Sequence, residues 1–357
     1  MVKWRVKLGL VVVAGLMEVA CGGGGNTTPL PTNAAIAGSG PLPSSTTTQS
    51  SVPPVTATSM PAATYTGASL SLYTSLNAVR SAMGVGALYQ STALDTAAAN
   101  HALYLATQTP MVETHIEVAG AKNFYAATPY ARAMLAGFVP TSSWVDEALG
   151  DASNCMNQLM DTVYHAEELT SNIQTIGIGG MASGWACVLD VGTVTGTAAL
   201  SPNTVAGIPA TGGQQLPAGV VAVYPYNGQT GVPGAMSPGE NPAPPLPSTY
   251  TTPGHPVLIR VRVDNNSDTL TASQFSLQDA NHNVLMGTLL VNPAAFTGSS
   301  AANSSTVTVV SDSNIAPGVV IFVPQSALNS ASQYTVTFSG ARDAVPVTNT
   351  SSSFTTQ

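Results

Sequence analysis

The chain has 357 residues, with 9 Lys or Arg against 17 Asp or Glu, which gives a formal net charge of -8. So few cations cannot neutralise a phosphate backbone, and this argues against nucleic acid as a partner. Charged residues make up 7% of the chain, compared with about 25% in average domains. A low charge together with many Ser, Thr, Ala, Gly and Pro residues is typical of exported proteins.

The first twenty residues have the pattern of a secretory signal peptide. Lys3, Arg5 and Lys7 form a basic start, and an apolar run over residues 8–17 follows them. This run is far shorter than the roughly 20 residues that a membrane-spanning helix needs. We therefore predict that residues 1–20 are a signal peptide and that the protein is exported.

Cys21 follows this pattern directly, after Val19 and Ala20. The arrangement resembles the lipobox of bacterial lipoproteins, although Glu18 stands where that pattern has Leu. The resemblance implies that Cys21 is lipidated and anchors the protein to a membrane of a bacterial cell envelope. The alternative is ordinary secretion with a free Cys21 thiol.

The remainder divides into two predicted domains and two connecting segments. Residues 22–68 contain no Asp, Glu, Lys or Arg and few large apolar residues, so we predict a disordered tether over 21–68. A first domain is predicted over 69–195. A linker rich in Pro, Gly and Thr covers 196–219, and a second domain covers 220–357.

The first domain is predicted to be α+β. Its helices show apolar residues at the spacing of one helical face, and its strands are short apolar runs. Helices come before the strands, without the β-α-β alternation of a parallel sheet. The predicted helices cover 69–83, 92–107 and 154–169, and the predicted strands cover 176–180 and 185–191.

The second domain shows short β runs separated by turn clusters such as Asn227-Gly228. About seven strands of this kind predict an all-β sandwich. In one of them Arg260 and Arg262 alternate with apolar residues, which predicts a solvent-facing side. The predicted strands include 220–224, 257–263, 274–277, 305–310, 319–323 and 334–338.

Polar motifs occur in a characteristic order along the first domain. They are Leu76-Asn77-Ala78-Val79-Arg80, Leu94 to His101, His115, Pro129-Tyr130-Ala131-Arg132, Ala136-Gly137-Phe138, Asp146-Glu147-Ala148-Leu149, Thr162-Val163-Tyr164-His165 and Ile176-Gly177-Ile178-Gly179. Their order and spacing resemble the bacterial branch of the CAP superfamily (cysteine-rich secretory proteins, antigen 5, pathogenesis-related 1). The resemblance implies an α-β-α sandwich with an open cleft that two histidines and one or two glutamates face.

The resemblance places His115, Glu147 and His165 in that cleft as candidate catalytic residues, and leaves Glu113 and Glu117 unassigned. Neutral imidazoles bind Zn²⁺ and other divalent metals, and a carboxylate can complete or support such a site. The hypothesis is therefore a divalent metal, zinc or another, on His115 and His165. The alternative is a polar network that only braces the fold.

No nucleophile motif accompanies these residues. The patterns His-Glu-x-x-His and Gly-x-Ser-x-Gly are absent, so neither zincin proteolysis nor a serine-hydrolase elbow is supported. In an exported protein, Cys155 and Cys187 are predicted to form a disulfide rather than to supply a thiol nucleophile. His101 lies on the apolar side of its predicted helix and is interpreted as structural.

The second domain opens with residues 224–233 and closes with residues 353–356, both of which resemble bacterial Ig-like domains. The resemblance implies an Ig-like sandwich that acts as a spacer or in adhesion and carbohydrate contact. Glu240 and Asn241 repeat the Glu-Asn pair of the CAP pattern, but they lie in a Pro-rich loop of this domain. We interpret the repeat as a coincidence.

Three functions remain open, and binding stands first because no nucleophile motif is present. The first is a binding module whose cleft takes an envelope lipid, glycan or peptide ligand, with or without the metal. The second is a hydrolase in which Glu147 acts as general base on a metal-bound or histidine-held water. The third is a structural or adhesive surface protein.

Overall fold

A computed structural model describes the chain over residues 60–109, 113–138, 144–181, 186–196 and 211–357. The predicted signal peptide, Cys21 and the predicted tether up to residue 59 lie outside these residues, as do residues 197–210 of the predicted linker. Within the described ranges, no helix is both long and apolar enough to cross a membrane.

Residues 60–196 form one unit, the α+β unit, in which helices surround a mixed sheet. Its described elements are α1 (Gly67–Met83), β1 (Tyr89–Gln90), α2 (Thr92–Thr107), α3 (Pro129–Leu135), β2 (Trp144–Gly150), α4 (Cys155–Met160), α5 (Tyr164–Leu169), β3 (Thr175–Gly179) and β4 (Cys187–Thr193). The sheet has the order β1-β3-β4-β2, with β1 and β3 parallel and the other neighbours antiparallel. The molecule thus belongs to the α+β class, as predicted.

Helix α2 lies directly on strand β3. A Cβ atom on Gly177 would lie 2.1 Å from the carbonyl carbon of Leu94, and one on Gly179 would lie 2.3 Å from that of Ala98. Leu94 and Ala98 are themselves completely buried. The alternating glycines of β3 therefore fix the position of α2, and with it the position of His101.

The prediction of a single helix over 154–169 is wrong, because two short helices, α4 and α5, occupy this stretch. At the break, the backbone N–H groups of residues 163–165 donate to the carboxylate of Glu240 at distances of 2.6 to 3.1 Å. In a continuous helix these N–H groups would donate to backbone carbonyls one turn earlier. Here their acceptor lies outside the helix. The break depends on a distant contact that no local pattern encodes.

The predicted disulfide between Cys155 and Cys187 is present, with the two Cα atoms 6.2 Å apart. Cys155 begins α4 and Cys187 begins β4, and both side chains are buried. The bond therefore ties α4 to the sheet of the α+β unit.

Residues 220–357 form a second unit, the β unit, in which two sheets pack face to face. Its elements are β5 (Val221–Tyr224), β6 (Gln229–Val232), β7 (Val257–Val261), β8 (Leu270–Asp279), β9 (Gly287–Val291), α6 (Pro293–Phe296), a 3₁₀ helix (Thr297–Ala302), β10 (Val307–Ser311), β11 (Val319–Pro324), β12 (Gln333–Arg342) and β13 (Val345–Thr356). One sheet has the order β10-β9-β11-β7-β5 and the other β6-β13-β12-β8. Phe275 of β8 stacks on Phe322 of β11 between the sheets, with ring centroids 4.6 Å apart.

The five-stranded sheet of the β unit is buried on both faces. Val257 and Ile259 of β7 pack in the core between the two sheets, whereas Leu258 joins an apolar cluster shared with the α+β unit. Strands covered on both sides show continuous apolar runs, as β11 does. The β unit therefore lies against the α+β unit through an extended apolar interface.

The prediction that Arg260 lies on a solvent-facing side is wrong. Its side chain is buried, and its Nη2 donates to the backbone carbonyl of Glu167 in the α+β unit at 2.6 Å. Arg262, just after β7, is the more exposed arginine of the pair and binds Asp264. The polar side of the alternating pattern here faces the other unit at Arg260. The sequence could not show this, because a buried arginine and an exposed one look the same in it.

The described end of the predicted linker, residues 211–219, packs onto the α+β unit. The side-chain amide of Gln214 donates to the carbonyls of Ala87 and Ile173 at 2.9 and 3.0 Å. Tyr65, near the end of the predicted tether, similarly donates to Asp95 at 2.5 Å. Both predicted connecting segments therefore end in residues that the folded units hold.

Candidate functional site

A cleft opens at the junction of the two units. Its volume is about 80 Å³, which is enough for several water molecules or for a metal ion with small ligands. Residues 113–115, helix α4, the start of α5 and the β-unit loop 238–241 form its walls. The titratable and hydrogen-bonding side chains that line it include Glu113, His115, Gln158, Thr162, His165 and Glu240.

His115 lies in the wall of the cleft with a buried glutamate behind it. Its Nδ1 is 3.1 Å from Oε1 of Glu147, and its side chain is 13% exposed whereas that of Glu147 is fully buried. A carboxylate only accepts hydrogen bonds, so Nδ1 carries the proton. The neutral ring of His115 then has its lone pair on Nε2.

Glu147 is held as a carboxylate by the groups around it. Burial alone would raise its pKa, but Arg132, His101 and the hydrogen bond from His115 outweigh burial and hold the pKa well below its usual range. Nη2 of Arg132 donates to Oε2 of Glu147 at 2.6 Å. A carboxylate of this kind is a strong hydrogen-bond acceptor and a weak base.

His101 and Glu117 extend this arrangement into the core. Nδ1 of His101 is 2.9 Å from Oε1 of Glu117, and its Nε2 is 2.8 Å from the carbonyl oxygen of Thr114. Both partners are hydrogen-bond acceptors, so each ring nitrogen of His101 faces an oxygen. Nε of Arg132 lies 3.8 Å from Oε1 of Glu117. We call His101, Glu117, Arg132 and Glu147 together the buried polar cluster.

His165 has two acceptors at its Nδ1. The hydroxyl of Thr162 donates to the carbonyl of Leu159 at 2.8 Å, so its oxygen accepts at Nδ1, which is 3.0 Å away. Oε1 of Glu240 lies 3.3 Å from the same nitrogen, and its side chain is buried. Nδ1 therefore carries the proton, and the neutral ring has its lone pair on Nε2. His165 thus repeats the arrangement of His115.

The structure brings His115 and His165 to one cleft. Glu147 does not line the cleft and reaches it through its hydrogen bond to His115. Within the described part of the chain, no three His, Cys, Asp or Glu side chains are grouped as ligands of one metal ion. A metal on the two histidines would therefore need water or a further ligand to complete its coordination. Cys21 lies outside the described residues.

Glu240 is a site residue that was not predicted from the sequence. Interpreting its Glu-Asn pair as a coincidence overlooks its position, because the carboxylate meets His165 and three amides at the start of α5. No local pattern in the sequence connects Glu240 with His165. The sequence separation of 75 between His165 and Glu240 and the Pro-rich surroundings hid the contact.

Comparisons of the chain with protein-family models, with curated proteins and with solved structures found no match. The resemblances to the CAP superfamily and to Ig-like domains therefore stay predictions.

Proposed function

We propose that the protein is an exported, lipid-anchored CAP-type protein of a bacterial cell envelope that binds a ligand in the cleft with the help of a divalent metal such as Zn²⁺. Nε2 of His115 and Nε2 of His165 would hold the metal. An envelope lipid, glycan or peptide is the proposed ligand.

The anchor is tested by Cys21→Ser, which should move the protein from the membrane fraction to the soluble one; unchanged fractionation would contradict the anchor.

The observation that carries this proposal is the pair of histidines in one cleft, each with a buried glutamate at Nδ1. Metal-binding histidines usually donate their second ring N–H to a carboxylate or carbonyl, which fixes the tautomer and makes the binding nitrogen more basic. Imidazole nitrogen suits Zn²⁺ and Cu²⁺. The two pairs therefore have the donor chemistry of a metal site.

The charge of the cleft supports a cation as its occupant. Glu113 and Glu240 lie in its walls, and the described residues that line it include no Lys or Arg. An anionic ligand would meet two carboxylates there. Such a ligand is compatible with the cleft only when a cation is bound beside it.

Hydrolysis is the weaker alternative. Glu147 is buried against Arg132 and its pKa is held well below the usual range, so it accepts a proton poorly at neutral pH. Cys155 and Cys187 are joined in a disulfide and supply no thiol. A hydrolase on this scaffold would need a different base, such as one of the cleft histidines or Glu113.

Zinc binding, measured by isothermal titration calorimetry at pH 7, tests the proposal. We expect one Zn²⁺ per wild-type chain and an affinity reduced more than about 100-fold in the variant His115→Ala/His165→Ala, since both donors are lost. His282→Ala is the control, because His282 is exposed on a turn of the β unit. Equal zinc binding by all three proteins would overturn the proposal and favour a cleft that only braces the fold.

A further inference from the structure

The loop of residues 238–241 belongs to the β unit but reaches the cleft of the α+β unit. Its residues line the cleft, and the preceding residue, Ser237, donates its backbone N–H to the carbonyl of Asp161 at 3.0 Å. Asp161 lies at the break between α4 and α5. The loop is therefore held on the segment that leads into His165.

We propose that Glu240 is a positioning residue for His165, so that the binding site is complete only when the β unit is docked on the α+β unit. The proposal assigns the β unit a part in the site, in place of the spacer or adhesive roles that its sequence left open. It rests on the proposed function only for the identity of the ion that the site binds.

The carboxylate of Glu240 is buried and has few partners that offset its charge. Its side chain is 1% exposed, and burying a carboxylate is unfavourable unless hydrogen bonds and opposite charge offset the loss of water. Three backbone N–H groups offset part of that loss. Among the described residues, His165 is the basic side chain within ion-pair distance. The N–H groups use both oxygens, Oε2 for Val163 and Oε1 for Tyr164 and His165. Oε1 also faces Nδ1 of His165, so the oxygen that caps α5 also orients the ring.

Helix α5, which carries His165, makes further hydrogen bonds with the β unit. The hydroxyl of Tyr164 donates to Oδ2 of Asp312 at 2.7 Å. The backbone N–H of Ala316 donates to Oε1 of Glu167 at 2.8 Å. With only six residues, α5 is too short to be stable by itself. Its position therefore depends on the β unit.

The variant Glu240→Gln in the full chain tests the proposal, because glutamine has nearly the same shape but keeps only one acceptor oxygen and loses the charge. We expect its zinc affinity at pH 7 to fall about 10- to 100-fold. We also expect ¹⁵N NMR to detect a smaller fraction of the Nδ1-protonated tautomer of His165, since an amide oxygen accepts from Nδ1 more weakly than the carboxylate does. Glu240→Asp, which keeps the charge, should lose less affinity and keep the wild-type tautomer.

Asp268→Asn is the matched control. Asp268 is another buried carboxylate of the β unit that accepts backbone N–H groups, but it does not line the cleft. Its substitution should leave the zinc affinity and the His165 ring signals unchanged. Equal losses of affinity in Glu240→Gln and Glu240→Asp, with no change of tautomer, would reduce Glu240 to a helix cap and overturn the proposal.

Failure of this inference and failure of the proposed function are distinguishable. If the wild-type protein binds no zinc, the proposed function fails, while the NMR comparison still tests whether Glu240 holds His165. If Glu240→Gln binds zinc as the wild type does and keeps the tautomer, the positioning role fails and the metal site stands. If that variant does not fold, the wild-type ring decides, because an Nε2-protonated neutral His165 would contradict the proposal.

Discussion

Arg132 is the cation that makes the buried polar cluster possible. Its Nη2 donates to Glu147 at 2.6 Å, and its Nη1 donates to the carbonyl of His115 at 3.0 Å. Arg80 is equally buried, and its partners among the described residues are backbone carbonyls such as that of Leu169. Burial and the charge of Arg260 lower its pKa to about 9. One arginine therefore compensates buried carboxylates, while the other joins backbone segments.

Replacing Arg132 with Met should destabilise the fold strongly. The change leaves Glu147 buried without its guanidinium partner, and breaking a buried ion pair from one side costs about 3–5 kcal/mol. Urea unfolding at pH 7 measures the loss. Arg262→Met is the control, because Arg262 is 39% exposed and binds Asp264 at the surface, where an ion pair contributes about 0–1 kcal/mol. Similar unfolding midpoints for the two variants would contradict this role of Arg132.

At the scale of elements, local patterns predicted those helices and strands whose ends are set locally. Helix α2 runs over Thr92–Thr107 as predicted, since Ser91 caps it by accepting the N–H of Leu94. Strand β2 was not predicted, because Glu147 interrupts its apolar pattern and is buried through contacts with Arg132 and His115. The start of α5 depends in the same way on Glu240.

The same distinction applies to the candidate site. His115 and His165 could be selected from motif order, and the structure places both at one cleft. The carboxylate partner of His165 could not be selected in this way, since Glu240 comes from the other unit. The prediction that Arg260 faces solvent was wrong for a related reason, because its partner, the carbonyl of Glu167, lies 93 residues away. Contacts between the units leave no periodic signal in the sequence.

The disulfide is expected to contribute most of the stability of the link between α4 and the sheet. It closes a loop over a sequence separation of 32, for which chain-entropy estimates give about 3–4 kcal/mol. The variant Cys155→Ser/Cys187→Ser should unfold at a correspondingly lower urea concentration. A reducing agent should lower the wild-type midpoint to that of the variant and leave the variant unchanged. A wild-type midpoint insensitive to full reduction would show that the bond adds little.

For the whole molecule, the junction between the units contains buried groups that titrate near neutral pH. Burial, partly opposed by Arg260, raises the pKa of Glu167 to about 8. Burial raises the pKa of Asp161 to about 7 and lowers that of His255 to about 3. Nδ1 of His255 lies 3.4 Å from Oδ1 of Asp161. We therefore expect the contact between the two units to depend on pH.

Glu167 should make the fold less stable as the pH rises. The folded state keeps its proton up to a pKa of about 8, whereas the ordinary value is 4.5. Its contribution is therefore fully present below pH 4.5 and is lost as the pH rises to about 8, with a slope of at most about 1.4 kcal/mol per pH unit. Glu167→Gln cannot ionise, so its free energy of unfolding should fall less between pH 5 and pH 8. Parallel urea-derived curves for wild type and variant would contradict the raised pKa.

The account as a whole depends on the two cleft histidines acting on one ion. The most direct measurement is a crystal structure of the protein grown with Zn²⁺, with anomalous data collected at the zinc absorption edge. We predict one strong peak per chain in the cleft, about 2.0–2.1 Å from Nε2 of both His115 and His165. A cleft without a peak at saturating zinc, or a peak bound to neither imidazole, would contradict it.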